Sequence, residues 1–137
     1  MPDAARIGRH LLLSTISFAL CFAIWGLVGA LGPLFRELFH LSRSEAALLV
    51  AVPVLLGSLA RLPMGILTDR FGGRIVFTAL MVFVSLAALT VSQVSGYSQL
   101  IAAAFLIGIA GSSFAVGVGY VSRWAAADKQ GSALGIY

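Results

Sequence analysis

The chain has 137 residues, of which 60% are hydrophobic and only 10% are charged, and its mean hydropathy is +1.02. Soluble globular domains average about 45–50% apolar and roughly 25% charged residues, so this composition excludes an ordinary soluble domain and places the chain among membrane proteins. The net charge of +4 does not indicate nucleic-acid binding. The basic residues lie at the ends of apolar runs, as in membrane proteins, and form no patch with interleaved aromatic residues.

The first apolar run predicts a transmembrane helix over residues 11–35. It carries no charge, and about 20 apolar residues are enough to cross a bilayer. Because further apolar runs follow, we expect a retained helix and not a cleaved signal peptide. Phe18, Phe22 and Trp25 recur at helical spacing and share one face of it.

A second helix is predicted over residues 45–68. Ser42 followed by Glu45 matches a capping box, which marks a helix start. Two prolines lie inside this run. Prolines are tolerated in membrane helices because neighbouring helices satisfy the backbone groups that they free.

Two further helices are predicted over residues 75–94 and 99–122, and an apolar segment at 130–137 begins a fifth. Gly72-Gly73 makes the turn before the third helix. The sequence therefore predicts an all-α membrane protein with four transmembrane helices plus the start of a fifth. Because the last apolar segment stops abruptly at Tyr137, we expect the chain to be a truncated part of a longer protein.

Basic residues concentrate on one side of this four-span arrangement. The tail and the two connections on that side carry Arg6, Arg9, Arg70, Arg74, Arg123 and Lys129. The opposite side carries Arg36 and Arg43. Since basic residues favour the cytoplasmic side, we expect a cytoplasmic N-terminus in a multi-pass protein of the inner (plasma) membrane.

Arg61 is the most informative residue, because it interrupts an apolar run. An arginine at the centre of a span costs roughly 2.5–3.5 kcal/mol on insertion scales. At 1.5 Å per residue it lies about 12 Å below Asp69, further than a snorkelling side chain reaches. Gly57 and Gly65, one turn away on either side, leave space for a small ligand or for a close helix. A binding role is favoured over a structural ion pair or a snorkelling anchor.

The chemistry of guanidinium indicates the class of ligand. It is planar, permanently charged and carries forked donors, so it suits a small oxyanion such as carboxylate, phosphate, nitrate or nitrite. No acidic residue lies in a predicted span core. The counter-charge of Arg61 must therefore come from a ligand, from a missing segment or from a residue near a span end.

The fourth helix is rich in small residues, which allow close helix approach in membranes. Phe114 is the large exception within GIAGSSFAVGVG. It is either a packing knob or an aromatic wall beside a ligand near Arg61.

A dense charged turn separates the second and third helices. Its pattern GxxxDRxGGR comprises Gly65, Asp69, Arg70, Gly72, Gly73 and Arg74. An ion pair made in one conformation and broken in another biases a two-state bundle, and Arg123 is a candidate partner for Asp69. The simpler interpretation is a positive-inside anchor, and both interpretations can hold together.

This turn is similar to the loop between helices two and three of the major facilitator superfamily. More narrowly, the chain resembles the N-terminal third of nitrate/nitrite porters in four stretches: FAIW, GSLARLP, GIAGSSFAVG and KQGSALGIY. The resemblance implies twelve helices in two halves, with residues 1–137 as an incomplete N-terminal half-domain. It implies that Arg61 binds the anion, that Phe114 packs against it and that Phe22 lines the same cavity. Ser113 departs from members with asparagine at that position.

The implied function is secondary active transport of nitrate and/or nitrite by alternating access, with no cofactor or metal and with protons as a possible coupling ion. No carboxylate or histidine occupies a predicted span core, which weakly favours exchange over proton coupling or places the coupling group elsewhere. The second arginine and the glycine-rich signature of such porters would belong to the missing C-terminal part.

Three alternatives remain open: a transporter of another small anion or of a drug, a non-transporting membrane anchor subunit, and a membrane enzyme. An enzyme is not expected, because catalysis needs convergent groups. His10 and His40 are predicted outside the spans on opposite sides, and Cys21 has no base nearby.

Overall fold

The computed structural model describes residues 4–127 and 129–137, with side chains from residue 7 onward, and this part of the chain forms helices and no strands. The helices are α1 (Ala4–Ala30), α2 (Gly32–Leu38), α3 (Arg43–Phe71), α4 (Gly73–Val91), α5 (Tyr97–Gly108), α6 (Ser113–Trp124) and α7 (Gln130–Ile136). A 3₁₀ segment, Ile109–Ser112, joins α5 to α6.

Four helical stretches in the described residues are long and apolar enough to cross a membrane: Ile7–Ala30, Arg43–Phe71, Gly73–Val91 and Tyr97–Trp124. The predicted all-α membrane fold with four spans is therefore confirmed. The apolar segment that follows them begins as a helix, α7.

Proline and glycine explain two differences from the predicted helix bounds. The first span ends at Ala30, not at residue 35, and Pro33 occupies the first turn of the separate helix α2. Proline suits that position because its missing N–H has no intrahelical partner there. Helix α3 continues to Phe71, three residues beyond the predicted end, and Gly72 then stops it with a positive φ of 86°.

The start of α3 is the capping box that the sequence predicts. The Glu45 amide donates to Ser42 Oγ at 3.2 Å, and the Ser42 amide donates to Glu45 Oε2 at 2.8 Å. Both prolines of α3, Pro53 and Pro63, lie inside the continuous helix.

The fourth predicted helix is not a single α-helix, because the 3₁₀ segment tightens its middle. Where α5 ends and this segment begins, the backbone packs directly against the backbone of α3. A Cβ added at Gly108 would lie 2.7 Å from the Pro53 carbonyl oxygen, and one added at Gly57 would lie 2.8 Å from the Gly108 carbonyl oxygen. Such an approach is open only to glycine, and it fixes how α3 lies against α5.

Two groups of buried side chains hold the four spans together. One includes Leu80, Val84 and Val116, and the other includes Leu49 and Leu100. Many other large apolar side chains are exposed along the outside of the bundle. Exposure of this kind is what a surface facing lipid hydrocarbon requires, and it leaves the faces of α1, α3 and α6 that carry the candidate site open.

Candidate functional site

Arg61 lies well inside α3, 18 residues after Arg43 and 10 before Phe71, which places it roughly 27 Å and 15 Å from the two helix ends. It follows Ala60, a member of the buried stripe of this helix, and therefore flanks the packed face. An added Cβ at Gly65 meets nothing within 4 Å, so the surface one turn further on is open.

The Arg61 side chain is exposed in this chain, not buried as the sequence led us to expect. The described helices leave its side of α3 uncovered. Among the residues whose side chains the structure describes, no hydrogen bond or ion pair involves its guanidinium. The charge is thus available to an external anion.

Trp25 connects α1 to the part of α3 next to Arg61. Its indole Nε1 donates to the Pro53 carbonyl oxygen at 3.4 Å. A Cβ added at Gly57 would lie 3.6 Å from Nε1, and one added at Gly111 would lie 3.2 Å from it. The indole therefore lies between α3 and the 3₁₀ segment, one helical turn from Arg61.

An aromatic cluster extends from Trp25 across the bundle. It consists of Phe18, Phe22, Trp25, Phe114 and Tyr137. Phe22 lies 5.1 Å from Trp25 and 5.4 Å from Phe18 between ring centroids. Phe18 in turn lies 5.8 Å from Phe114. The structure thus brings Phe22 and Phe114 into one cluster through Phe18, and each keeps about half of its surface exposed, 48% and 47%.

Tyr137 is a member of this cluster that sequence reasoning missed. Its ring lies 5.1 Å from Phe18 and 6.1 Å from Phe114, and its hydroxyl donates to the Ser113 carbonyl oxygen at 3.1 Å. No sequence pattern predicts that a residue of α6 will contact a residue just after α7. The role of Phe18, in contrast, could be found from its spacing with Phe22.

Ser113 carries an unusual hydroxyl beside Phe114. It is fully buried, and its Oγ is the one buried side-chain polar atom in the described part of the chain without a hydrogen-bond partner. The residue begins α6 directly after the 3₁₀ segment. Unpaired buried hydroxyls are uncommon, and this one belongs to the residue directly before Phe114 in the chain.

The charged turn contributes one ion pair to the described structure. Arg123 Nη2 donates to the Asp69 carbonyl oxygen at 2.8 Å and lies 3.3 Å from Asp69 Oδ1. This contact joins the end of α3 to the end of α6, as expected from the sequence. Arg70 instead lies over the Phe71 ring at 5.6 Å, and Arg74 lines a different cavity.

The histidine positions differ from the sequence-based expectation at one residue. His10 lies inside α1 and not in a tail, and it contacts Tyr120 and Trp124 of α6. His40 lies in the turn after α2 and is exposed. Neither contacts Arg61 or the aromatic cluster.

The candidate site therefore has two parts, the exposed cation Arg61 on α3 and the aromatic cluster, and Trp25 connects them through its contact with α3 at Gly57. Among the described residues Arg61 makes no contact with the ring of Phe22 or Phe114, and its exposed charge is the part that can bind a small anion.

Known proteins resemble this chain over most of its length. A sequence profile described as Major Facilitator Superfamily matches residues 13–137. The chain is 45% identical over 136 residues to the "Probable nitrate/nitrite antiporter NarK1" of Thermus thermophilus, a match that covers 99% of this chain and 30% of that protein. It is 36% identical over 131 residues to the "Nitrite extrusion protein" of Bacillus subtilis, covering 94% and 33%.

A third relative, the "Probable nitrate transporter NarT" of Staphylococcus carnosus, is 32% identical over 135 residues, covering 98% of this chain and 35% of that protein. The chain thus spans about a third of the length of these relatives. Their names describe transporters of nitrate or nitrite and not enzymes. With four apolar helices able to cross a membrane and a profile match over nearly its whole length, this chain belongs to the major facilitator superfamily.

Proposed function

We propose that this chain is part of a secondary transporter that moves nitrate and/or nitrite across the inner membrane by alternating access, with Arg61 as an anion ligand. One observation carries the proposal: an arginine in the middle of a candidate span has no hydrogen bond or ion pair within the described residues. The names of the relatives supply the substrate.

The energetics favour a ligand as the partner of Arg61. Placing an arginine at the centre of a span costs roughly 2.5–3.5 kcal/mol, and a charge-assisted, forked contact to an oxyanion offsets such a cost. Nitrate and nitrite are small planar anions that match the guanidinium fork. In the complete transporter, the rest of the protein would cover Arg61 and complete the buried site.

The aromatic cluster would form the wall of this site. Phe22 and Phe114 each present about half of their surface, which leaves both rings able to contact a planar anion. Once the rest of the transporter covers them, they would also keep water away from that anion. Removing water strengthens the attraction between the guanidinium and the anion.

The Asp69–Arg123 pair would act as a gate, together with Gly65, Arg70, Gly72, Gly73 and Arg74. Both partners are exposed, with 76% and 47% of their side chains accessible. Exposed pairs contribute only about 0.2–1 kcal/mol, so the pair can break and form again as the bundle changes conformation. With a cytoplasmic N-terminus, this gate would face the cytoplasm.

The test is a chimera in which this chain replaces the matched 136 residues of the Thermus thermophilus relative. Purified chimera that elutes as a single folded species is reconstituted into liposomes for nitrate and nitrite flux. We expect saturable flux, at least a tenfold loss in Arg61→Ala and a strong loss in Arg61→Lys, since lysine lacks the fork.

Arg43→Lys provides the matched control, because it makes the same change at an exposed arginine at the start of the same helix. It should transport normally. Unchanged flux in Arg61→Ala would refute the role of Arg61 as a ligand. Absence of flux in a folded chimera would refute the assignment of nitrate and nitrite as substrates.

A further inference from the structure

A second basic site lies at the Asp69 end of the bundle and shares no residue with the aromatic cluster. It is a cavity of about 410 Å³ between the beginnings of α1 and α4 and the end of α6. Arg9, His10, Arg74 and Tyr120 line it, together with the serine and threonine hydroxyls of Ser14 and Thr78. No carboxylate lines this cavity in the described part of the chain.

The two arginines of this cavity keep their charges available. Arg9 and Arg74 are both exposed. The one ion pair between described residues is that of Asp69 with Arg123, so neither arginine has an acidic partner there. A wall with two guanidinium groups and no carboxylate attracts an oxyanion.

Two contacts hold the side of the cavity that His10 and Tyr120 form. His10 Nδ1 and the Tyr120 hydroxyl are hydrogen-bonded at 2.6 Å. The imidazole also stacks on Trp124, with ring centroids 4.0 Å apart and planes 15° from parallel. With Nδ1 occupied, Nε2 is the His10 nitrogen left for a ligand. This side of the cavity is thus held by a hydrogen bond and a ring stack, whereas the Arg9 and Arg74 side chains are exposed and free to approach a ligand.

An apolar groove continues from this cavity along α4. It is a shallow groove of about 630 Å³ on the surface of this helix, since all of its lining residues belong to α4. It shares Arg74 and Thr78 with the basic cavity and ends at Leu86. The 12 residues from Arg74 to Leu86 span roughly 18 Å. Half of a hydrocarbon core of about 30 Å is ~15 Å, so the groove is as long as one lipid leaflet is deep.

We propose that the cavity and the groove together bind an anionic phospholipid. The headgroup phosphate lies between Arg9, His10 and Arg74, and one acyl chain lies along α4 beside Ile75 and Val82. A free oxyanion would use the cavity alone, whereas a phospholipid matches both the charge at one end and the apolar length beyond it. The proposal does not depend on nitrate transport.

The first test measures lipid binding to the purified chain by native mass spectrometry in detergent, with phosphatidylglycerol, phosphatidylcholine or inorganic phosphate added. We expect selective retention of phosphatidylglycerol that millimolar inorganic phosphate does not displace. Equal retention of phosphatidylcholine would overturn recognition by charge. Displacement by inorganic phosphate would show a site for free oxyanions and would overturn the lipid assignment.

Substitutions locate the site. Each basic residue near an anionic membrane surface is worth about fivefold in binding, so Arg9→Gln and Arg74→Gln should each weaken phosphatidylglycerol retention about fivefold. Both residues are exposed, so the fold should survive, and helix content measured by circular dichroism verifies this for each variant. Arg43→Gln removes the same charge from the opposite end of the bundle and should change nothing. An equal effect of Arg43→Gln would reduce the site to general surface charge.

The groove is tested separately. Val82→Trp should occupy it and release phosphatidylglycerol, while Val54→Trp makes the same change at an exposed position of α3. Retention by Val82→Trp equal to that by Val54→Trp would overturn the placement of the acyl chain.

Discussion

The crossing of α3 and α5 gives the sharpest stability prediction, because backbone meets backbone there. In Gly57→Ala, the new Cβ would lie 2.8 Å from the Gly108 carbonyl oxygen. Ordinary contact begins at 3.4 Å, so the helices must separate by about 0.6 Å. No flexible side chain can yield in their place.

The expected magnitude follows from two opposing terms. Overpacking a well-packed contact costs typically about 1–3 kcal/mol, while replacing glycine by alanine inside a helix gains roughly 0.5–1 kcal/mol. Because the obstacle is backbone, the cost lies in the upper part of its range. The net effect of Gly57→Ala should be a destabilisation of about 1–2 kcal/mol.

Gly65→Ala is the matched control in the same helix. An added Cβ there meets nothing within 4 Å, so only the propensity gain of roughly 0.5–1 kcal/mol should remain. The assay is unfolding in mixed micelles, followed by circular dichroism, for both variants. Equal stability of Gly57→Ala and Gly65→Ala would refute the close crossing.

The double variant Gly57→Ala/Gly108→Ala tests whether the two positions share one contact. Both added Cβ atoms press on the same helix crossing. Once the first has separated the helices, the second should cost less, so the combined loss should be smaller than the sum. Additive losses would show that the two sites are independent.

Two further predictions concern the gate and the chain by itself. A double-mutant cycle on Asp69→Asn and Arg123→Gln, measured by unfolding, should give a coupling free energy below about 1 kcal/mol, because both groups are exposed. This coupling should decline in high salt. A larger coupling that does not depend on salt would contradict a labile gate. The 137-residue chain alone should give no nitrate flux in vesicles, because alternating access requires one half of a transporter to move against the other. Saturable nitrate flux greater than that of empty vesicles would contradict this prediction.

The local features of this protein are readable from its sequence. Apolar length predicts the four spans, since hydrocarbon thickness determines how many residues a helix needs. The capping box at Ser42 depends on residues three apart, and the turn at Gly72 depends on one glycine. The position of Arg61 within a span and the charged turn after it are likewise matters of spacing along one helix, although the binding role of Arg61 stays a prediction.

Contacts between helices required the tertiary structure. Phe18 and Phe114 are 96 positions apart, and their rings meet only because of how α1 and α6 are rotated and crossed. The exposure of Arg61, the place of Tyr137 and the separation of Arg74 from the Asp69–Arg123 pair depend on the same rotations. Helical periodicity shows which residues share a face, but close packing between backbones, as at Gly57 and Gly108, decides which face meets which neighbour.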